Sequence, residues 1–440
     1  GYVLVIDQTR GDASIRLGGG SAAVFAEMLA FARIENPGAR IVIKTHPETA
    51  GGHRARHYGP ADCDTRTSLL TDPVSPWALL EGATAVYAVS SQMGFEAIIA
   101  GHRPRIFGQP FYGGWGLTQD ETPVARRERR LTRAQLFTGA MLRYPVWYDP
   151  CHDRLCELED VLALTEAQAR AWREDRHGHV ASGMRLWKRA PLRRFFGGHG
   201  RLSFRDDPAR ASAQAAQSGR ALLVWAGKQT PAHRADRLLR VEDGFLRSRG
   251  LGAELVPPMS LVADPIGIYY DPAQPSLLEQ LIAASTELPP DQLRRSERLI
   301  AAITRQNLTK YNIAGDPLPS LPEGRRILVP GQVEDDASIL AGSPETCRNA
   351  DLLARARAEN PGAVILYKPH PDVEAGLRNG AVPEPLALTW ADKVLRHGAM
   401  GPLLGQIDEV WTMTSLTGFE ALLRGKPVTC LGAPFYAGWG

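Results

Sequence analysis

One pattern is written twice in this chain of 440 residues, at a single fixed offset. Gln8-x-x-x-Asp12-Ala13-Ser14-Ile15 recurs as Gln332-x-x-x-Asp336-Ala337-Ser338-Ile339, 324 residues on from Asp12 to Asp336. The same offset carries Lys44-Thr45-His46-Pro47 onto Lys368-Pro369-His370-Pro371, and Ser91 with Gly94-Phe95-Glu96-Ala97 onto Ser415 with Gly418-Phe419-Glu420-Ala421. It also carries Pro110-Phe111-Tyr112 and Gly114-Trp115-Gly116 onto Pro434-Phe435-Tyr436 and Gly438-Trp439-Gly440. Chance does not hold one register over so long a span, so the chain contains two copies of one structural unit.

Within a copy, short apolar runs alternate with segments of helical period. In the first copy Val3 to Ile6 reads as a strand, Ala22 to Ile34 as a helix, Ala39 to Lys44 as a strand, Ala85 to Val89 as a strand and Phe95 to Ala100 as a helix. Strands alternating with helices imply a parallel sheet covered on both faces, so each copy is expected to be a Rossmann-like α/β domain. The spacing places these domains at 1–130 and 326–440, with a helical tail and linker at 131–182 and a further α/β domain at 183–325. Strands at Ala221 to Trp225, inside that last domain, and at Ile327 to Pro330, at its far border, bracket Val241-Glu242-Asp243-Gly244. The second copy therefore has an α/β domain before it and the first copy has none in this chain. An abrupt start on a strand and an abrupt stop on the aromatic motif read as a piece of a longer polypeptide.

A formal net charge of +3 gives no field that argues for nucleic acid. Five scattered cysteines fit reduced thiols, and Cys151-His152 with Cys156 lacks a second ligand pair at zinc-like spacing, so no metal is expected. No apolar run is long enough to span a bilayer. Gly18-Gly19-Gly20 carries neither Walker nor dinucleotide spacing, which discounts ATP and NAD, and no cofactor is expected. The basic runs Arg126 to Arg130 and Lys188 to Arg194 read as solvated helix faces, with contact to anionic lipid as the second reading.

In open α/β sheets ligands bind beyond the carboxyl ends of the strands, so the polar residues that follow each apolar run are the candidates for chemistry. His46-Pro47 and His370-Pro371 follow such runs; the imidazole there donates to or protonates a phosphate, or simply caps a loop. Ser90-Ser91, matched by Thr414-Ser415, precedes a helix and makes an anion site or an N-cap. Asp12 and Asp336, each two residues before Ser14 or Ser338, read as nucleophile, base or cap. Glu242-Asp243-Gly244 leaves a strand in the domain before the second copy and offers either a second carboxyl group facing Asp336 or a polar turn. The repeated aromatic-glycine motif reads as a stacking loop for sugar or base, or as a staple of the loop to the sheet.

These motifs, with Arg240-Val241-Glu242-Asp243-Gly244-Phe245-Leu246-Arg247-Ser248, resemble the capsule polysaccharide β-Kdo transferases, bacterial enzymes with two tandem retaining Kdo-transferase modules. More loosely, the acid-acid-Gly, His-Pro and Ser/Thr-Ser elements resemble those of bacterial GT-B sialyltransferases, which share a CMP leaving group. The resemblance implies a GT-B-like fold of three Rossmann-like domains. It implies transfer of Kdo from a CMP-Kdo donor with retention, building a poly-Kdo linker on a glycolipid or Kdo-phospholipid acceptor alongside other capsule assembly proteins. The implied location is the cytoplasm, at the inner face of the membrane. By resemblance Asp12 and Asp336 are nucleophiles, Glu242 is the acid/base, and His46 and His370 stabilise the departing phosphate. Gln8, Ser14, Lys44, Pro47, Ser90 and Ser91 in the first copy, and Gln332, Ser338, Lys368, Pro371, Thr414 and Ser415 in the second, are the implied donor-binding residues. Asp12 has no identifiable acid partner in this chain. A transferase for another CMP-activated, sialic-acid-like sugar and a polysaccharide-binding scaffold without turnover are the alternatives.

Overall fold

A computed structural model describes residues 1–251, 254–313 and 317–439; Gly440, the last letter of the second aromatic motif, lies outside them. The chain forms two compact units, Gly1–Ala167 and Gln168–Gly440. In the first, strands β1 (Tyr2–Ile6), β2 (Ile41–Lys44), β3 (Thr67–Leu70), β4 (Ala83–Ala88), β5 (Arg105–Ile106) and β6 (Gln119–Asp120) form an all-parallel sheet in the order β3-β2-β1-β4-β5-β6. An antiparallel pair follows, β7 (Trp147–Asp149) with β8 (Arg154–Cys156), and then the helix Leu158–Asp175. The helical tail and linker expected over 131–182 is therefore not continuous helix. The Asp149 carboxylate instead accepts the backbone N–H groups of Cys151 and His152 and closes a hairpin that takes Leu155 and Cys156 into β8.

The second unit carries two sheets. Strands β9 (His179–Ser182), β10 (Leu202–Phe204), β11 (Ala221–Trp225), β12 (Leu238–Asp243) and β13 (Leu261–Asp264) lie in the order β10-β9-β11-β12-β13, parallel except for β13, which runs antiparallel to β12. β9 falls inside the segment read from sequence as a helical tail, because four residues next to a long helix give little period of their own. Strands β14 (Arg326–Pro330), β15 (Val364–Lys368), β16 (Lys393–Val394), β17 (Glu409–Thr412) and β18 (Val428–Cys430) form the other sheet, all parallel, in the order β16-β15-β14-β17-β18. Ile327 to Pro330, placed by sequence at the edge of the preceding domain, is thus the central strand of this sheet.

The duplication extends to the pairing. Val3 lies opposite Ile41 and Leu4 opposite Val42 in the first copy, as Ile327 lies opposite Ile365 and Leu328 opposite Leu366 in the second. Alternate residues of the central strands face opposite layers, as strand geometry requires. Val3 and Val5 pack with Phe25, Met28 and Leu29 of the helix Ala22–Glu35, and Leu4 packs with Leu80, Val86 and Ile98 on the other face. Ile327 and Val329 meet Leu352, Leu353 and Ala356, whereas Leu328 meets Leu403, Leu404 and Val410. Burial on both faces explains why these strands read as continuous apolar runs.

The aromatic motif acts as a staple in both copies. The Tyr112 hydroxyl donates to the Ser91 carbonyl at 2.5 Å, and that of Tyr436 to the Ser415 carbonyl at 2.5 Å. Each ring lies where a Cβ on the helical glycine would stand, 2.2 Å from the Tyr112 oxygen at Gly94 and 2.3 Å from the Tyr436 oxygen at Gly418. Trp115 and Trp439 close the same loop by donating to the Phe111 and Phe435 carbonyls. Gly418→Ala is expected to cost about 1–3 kcal/mol through overpacking and Tyr436→Phe about 1 kcal/mol through the lost hydrogen bond, read by urea unfolding of the whole chain. A neutral Gly418→Ala would show that the ring is free to move aside.

Candidate functional site

In each copy the chain reverses direction across the sheet between the central strand and its next neighbour, β1 and β4 or β14 and β17, and a crevice opens there beyond the strand ends. Gln332, just past β14, spans the crevice. Its Oε1 accepts from the Thr412 hydroxyl at 2.9 Å and from the N–H groups of Met413 and Thr414 at 3.1 and 3.2 Å, and its Nε2 donates to Thr414 Oγ1 at 3.1 Å. Asn349 holds the Gln332 backbone from the other side with two hydrogen bonds of 2.8 Å. Gln8 makes the shorter version of this bridge, donating to Ser90 Oγ and accepting from Ser90 N–H. Both glutamines are buried, and each fixes the Ser/Thr-Ser loop.

From Thr414 a line of hydroxyls leads to Asp336: Thr414 Oγ1 donates to Ser338 Oγ at 3.2 Å, and Ser338 Oγ to Asp336 Oδ1 at 2.8 Å. Asp336 also caps its helix through the Ser338 N–H. Asp12 caps in the same way from Ser14 at 2.7 Å, and hydrogen bonds from Ser14 hold its carboxyl below the usual carboxylate range. Both aspartates therefore cap a helix, and among the described residues Asp336 Oδ2 has no hydrogen-bond partner beside the cleft.

His370 and His46 begin one-turn helices whose first residue is Pro371 or Pro47, a ring already set at helical φ. Each Nδ1 accepts a backbone N–H, from Asp372 at 3.1 Å and from Glu48 at 3.3 Å. Burial pushes the His370 pKa down, which favours the neutral ring. A neutral imidazole that accepts at Nδ1 carries its proton on Nε2, so His370 presents an N–H donor. Lys368 and Lys44 are buried, have their pKa lowered by that burial, and donate to the carbonyls of Leu395 and Asp72. Ser415 and Ser91 accept the N–H groups of Thr417 and Met93.

The second-copy residues line a cleft of about 1400 Å³ between the two sheets of the second unit, and Glu242 and Asp243 face them from the end of β12. Gly244 turns the chain there with Ser260 so close that an added Cβ would stand 2.3 Å from its hydroxyl oxygen. Burial raises the Glu242 pKa to about 7, against the pull of the Asp243 N–H and of Lys188. Asp243 is held by Arg247, a fully buried guanidinium whose Nε donates to Asp243 Oδ2 at 2.9 Å. Lys188 stands over the Trp225 ring, 3.0 Å from its centroid, and burial draws its pKa down to about 8. Lys188, Arg247, Lys310, Tyr269, Tyr270 and Glu420 line the cleft without having been singled out as site residues from sequence. Arg247 and Glu420 had a signal as letters of quoted motifs, and Lys188 as the first residue of a basic run.

The basic runs are taken up by the fold only in part: Arg126, Arg129, Arg130, Arg193 and Arg194 are exposed, and the first run, expected as a helix face, is not helical, whereas the second lies largely on the helix Arg189–Phe196. Lys188 turns into the cleft, Arg189 pairs with Asp206 at 2.8 Å, and Leu192 is buried. Arg127 donates to the carbonyls of Pro110 and Gly113 and braces the aromatic loop. His152 pairs with Asp149 at 2.6 Å, and among the described residues no group of three or more His, Cys, Asp or Glu is placed to hold a metal ion. Among the described residues no helix is long and apolar enough to cross a membrane.

Glu420, of the Gly-Phe-Glu-Ala motif, is buried and accepts the Lys310 N–H at 2.7 Å; burial raises its pKa to about 7 from an ordinary 4.5. A carboxyl whose pKa is raised on folding stabilises fully below its unfolded pKa and loses that stability as pH rises through the folded one. Glu420→Gln keeps the acceptor and removes the titration. Its stability relative to the wild type is expected to improve by about 1–3 kcal/mol between pH 5 and pH 8 in denaturant titrations. A difference independent of pH would contradict the buried, protonated state.

Comparison with known proteins places these features among relatives. A family described as capsule polysaccharide biosynthesis protein matches residues 1–147, 226–314 and 308–440. The capsule polysaccharide modification protein LipA of Neisseria meningitidis serogroup B is 41% identical over 451 residues, which take in 100% of this chain and 64% of LipA. The chain thus spans less than two thirds of that relative. The lipopolysaccharide-processing protein LpsZ of Rhizobium meliloti is 41% identical over 273 residues, 59% of this chain and 62% of LpsZ. Among solved structures, the KpsC β-Kdo 2,7 transferase of Thermosulfurimonas dismutans is 36% identical, with a TM-score of 0.48 over 60% of this chain and 81% of that one. The KpsC β-Kdo 2,4 transferase of the same organism is 34% identical, with a TM-score of 0.49 over 60% of this chain and 83% of that one.

Proposed function

Because the chain belongs to the capsule polysaccharide biosynthesis protein family, we propose that its second unit is a retaining glycosyltransferase that moves β-Kdo from CMP-Kdo to a lipid-linked acceptor during capsule assembly. The observation that carries this reading is the meeting of Asp336 from one sheet and Glu242 from the other across a single cleft, with the Glu242 pKa near 7. Two carboxyl groups flanking one space are what glycosyl transfer with retention uses.

In the first step an Asp336 carboxylate oxygen bonds to the anomeric carbon as the carbon–oxygen bond to the CMP phosphate breaks, and the bonding pair leaves with CMP. The phosphate is a good leaving group and needs stabilisation more than protonation, which a neutral His370 with its proton on Nε2 supplies. In the second step an acceptor hydroxyl attacks the same carbon, Glu242 takes its proton, and the Asp336 carboxylate departs. Two inversions give net retention. Glu242 must be ionised to act as base, so turnover is expected to rise with pH through about 7. Thr414, Ser338 and Gln332 hold Asp336 and the loop, while Ser415 with Lys368 faces the donor phosphate. In the first unit Asp12, His46, Ser14, Ser90, Ser91, Gln8, Lys44 and Pro47 rebuild the donor half of the same arrangement.

The test is intact mass after incubation with CMP-Kdo. Glu242→Gln is expected to accumulate a covalent Kdo adduct and to lose at least about 100-fold in turnover, while Asp336→Ala forms no adduct. An adduct that survives Asp336→Ala, or thermal stabilisation by UDP rather than CMP, would rule the mechanism out. Turnover unaffected by changing both Asp336 and His370 would favour a binding scaffold.

A further inference from the structure

We propose that Lys310 is the specificity residue of the cleft, the cation that receives the carboxylate of an acidic donor sugar at the reacting carbon. This inference rests on reading the cleft as a glycosyl-transfer site. Lys310 lies in the connection between the two sheets of the second unit, and part of its surface opens on the cleft. Its backbone is fully engaged: the N–H donates to Glu420, and the carbonyl accepts from the N–H groups of Arg247 and Ser248 at 2.9 and 3.2 Å. Its side chain is not. Among the described residues the ammonium makes no hydrogen bond and no ion pair within 4.0 Å, and its nearest aromatic neighbour, Tyr311, has its ring centroid 5.2 Å away.

A charge enclosed by protein calls for a counter-charge with hydrogen-bonding atoms. Burial works against the Lys310 charge, but Tyr311 and Tyr269 with the carboxylates of Asp336 and Asp243 outweigh it and raise its pKa, so the ammonium stays protonated. Asp336 follows a strand of one sheet and Asp243 ends a strand of the other, and both line the same cleft as Lys310, where a bond to the sugar would form.

The chemistry requires a cation there. When a carboxylate attacks a carbon that itself bears a carboxylate, two like charges are brought within a few ångströms, and a nearby positive charge with free donors offsets the repulsion. Lys368, the cation suggested by sequence, already donates to the Leu395 carbonyl and lies near Glu374. A neutral sugar filling the cleft would take water from the partly exposed Lys310 ammonium without supplying a partner, and a site that desolvates a charge and leaves it unpaired discriminates against such a ligand.

Calorimetric titration of the whole chain tests this with a matched pair, Kdo and its methyl ester, each added to protein saturated with CMP. The wild type is expected to bind the acid at least about tenfold more tightly than the ester. Lys310→Met is expected to abolish that preference while binding CMP within about threefold of the wild type, and Lys310→Arg to retain part of the preference. Equal binding of acid and ester, no binding of either, or a preference unchanged in Lys310→Met would overturn the assignment. CMP binding is read separately; its loss would count against the proposed function, and the acid-to-ester ratio, then measured without CMP, would still decide on the lysine.

Discussion

A four-residue segment, 309–312, holds the two sheets of the second unit in register with each other. Its Lys310 N–H goes to Glu420 on one side, while the carbonyls of Lys310 and Tyr311 take three N–H groups from 247–250 on the other, and Asn312 adds a hydrogen bond to the Ser248 carbonyl. Arg247, anchored by these bonds, grips Asp243 and so fixes the end of β12, where Glu242 stands. An aromatic cluster completes the joint: Phe245, beside Glu242, stacks on Phe435 at 4.7 Å, and Tyr269 and Phe419 meet the same ring pair edge-on or tilted. The separation between carboxyls from different sheets is thus set by backbone hydrogen bonds and ring packing, both of which tolerate little displacement.

The two copies show what this joint adds. The Gln8 bridge, the Asp12 cap, the His46 tautomer contact and the Tyr112 staple are built as in the second copy. Phe111, by contrast, is 50% exposed, whereas its equivalent Phe435 stacks on Phe245. Where the second copy places Asn349 to hold its glutamine, the first has Phe25 stacked on His57 at 3.7 Å, with Asp7 buried alongside. The copies thus share the sheet and the loop that follows each strand, and diverge in the layer behind the loop.

Much of this was legible in the sequence because it is local. A parallel sheet buried on both faces writes itself as apolar runs, and the residues immediately after those runs lie at the strand ends whatever the rest of the fold does. That is why Asp336, His370, Thr414 and Ser415, taken from a repeat, line one cleft, and why Glu242 could be placed opposite them. Lys310 was not legible. It sits in an irregular connection with no period and no repeat, and its position depends on hydrogen bonds from residues more than sixty positions before it and more than one hundred after it. The β7–β8 hairpin and the short β9 escaped for a related reason, since a side-chain turn and a four-residue strand leave weaker traces than a long amphipathic helix.

The glutamine of the repeated motif separates two kinds of signature letter. Gln332 engages its amide as acceptor and donor at once, so a carboxylate in its place loses the donation to Thr414 and a hydrocarbon loses both. Asp336, a few residues on, contributes one oxygen to its cap, and among the described residues the other has no hydrogen-bond partner. The fold therefore calls on every polar atom of the glutamine amide and on one carboxylate oxygen of the aspartate. A change at Gln332 is thus felt at once by the Thr414-Ser415 loop on the far side of the crevice, whereas the aspartate answers to its own helix alone.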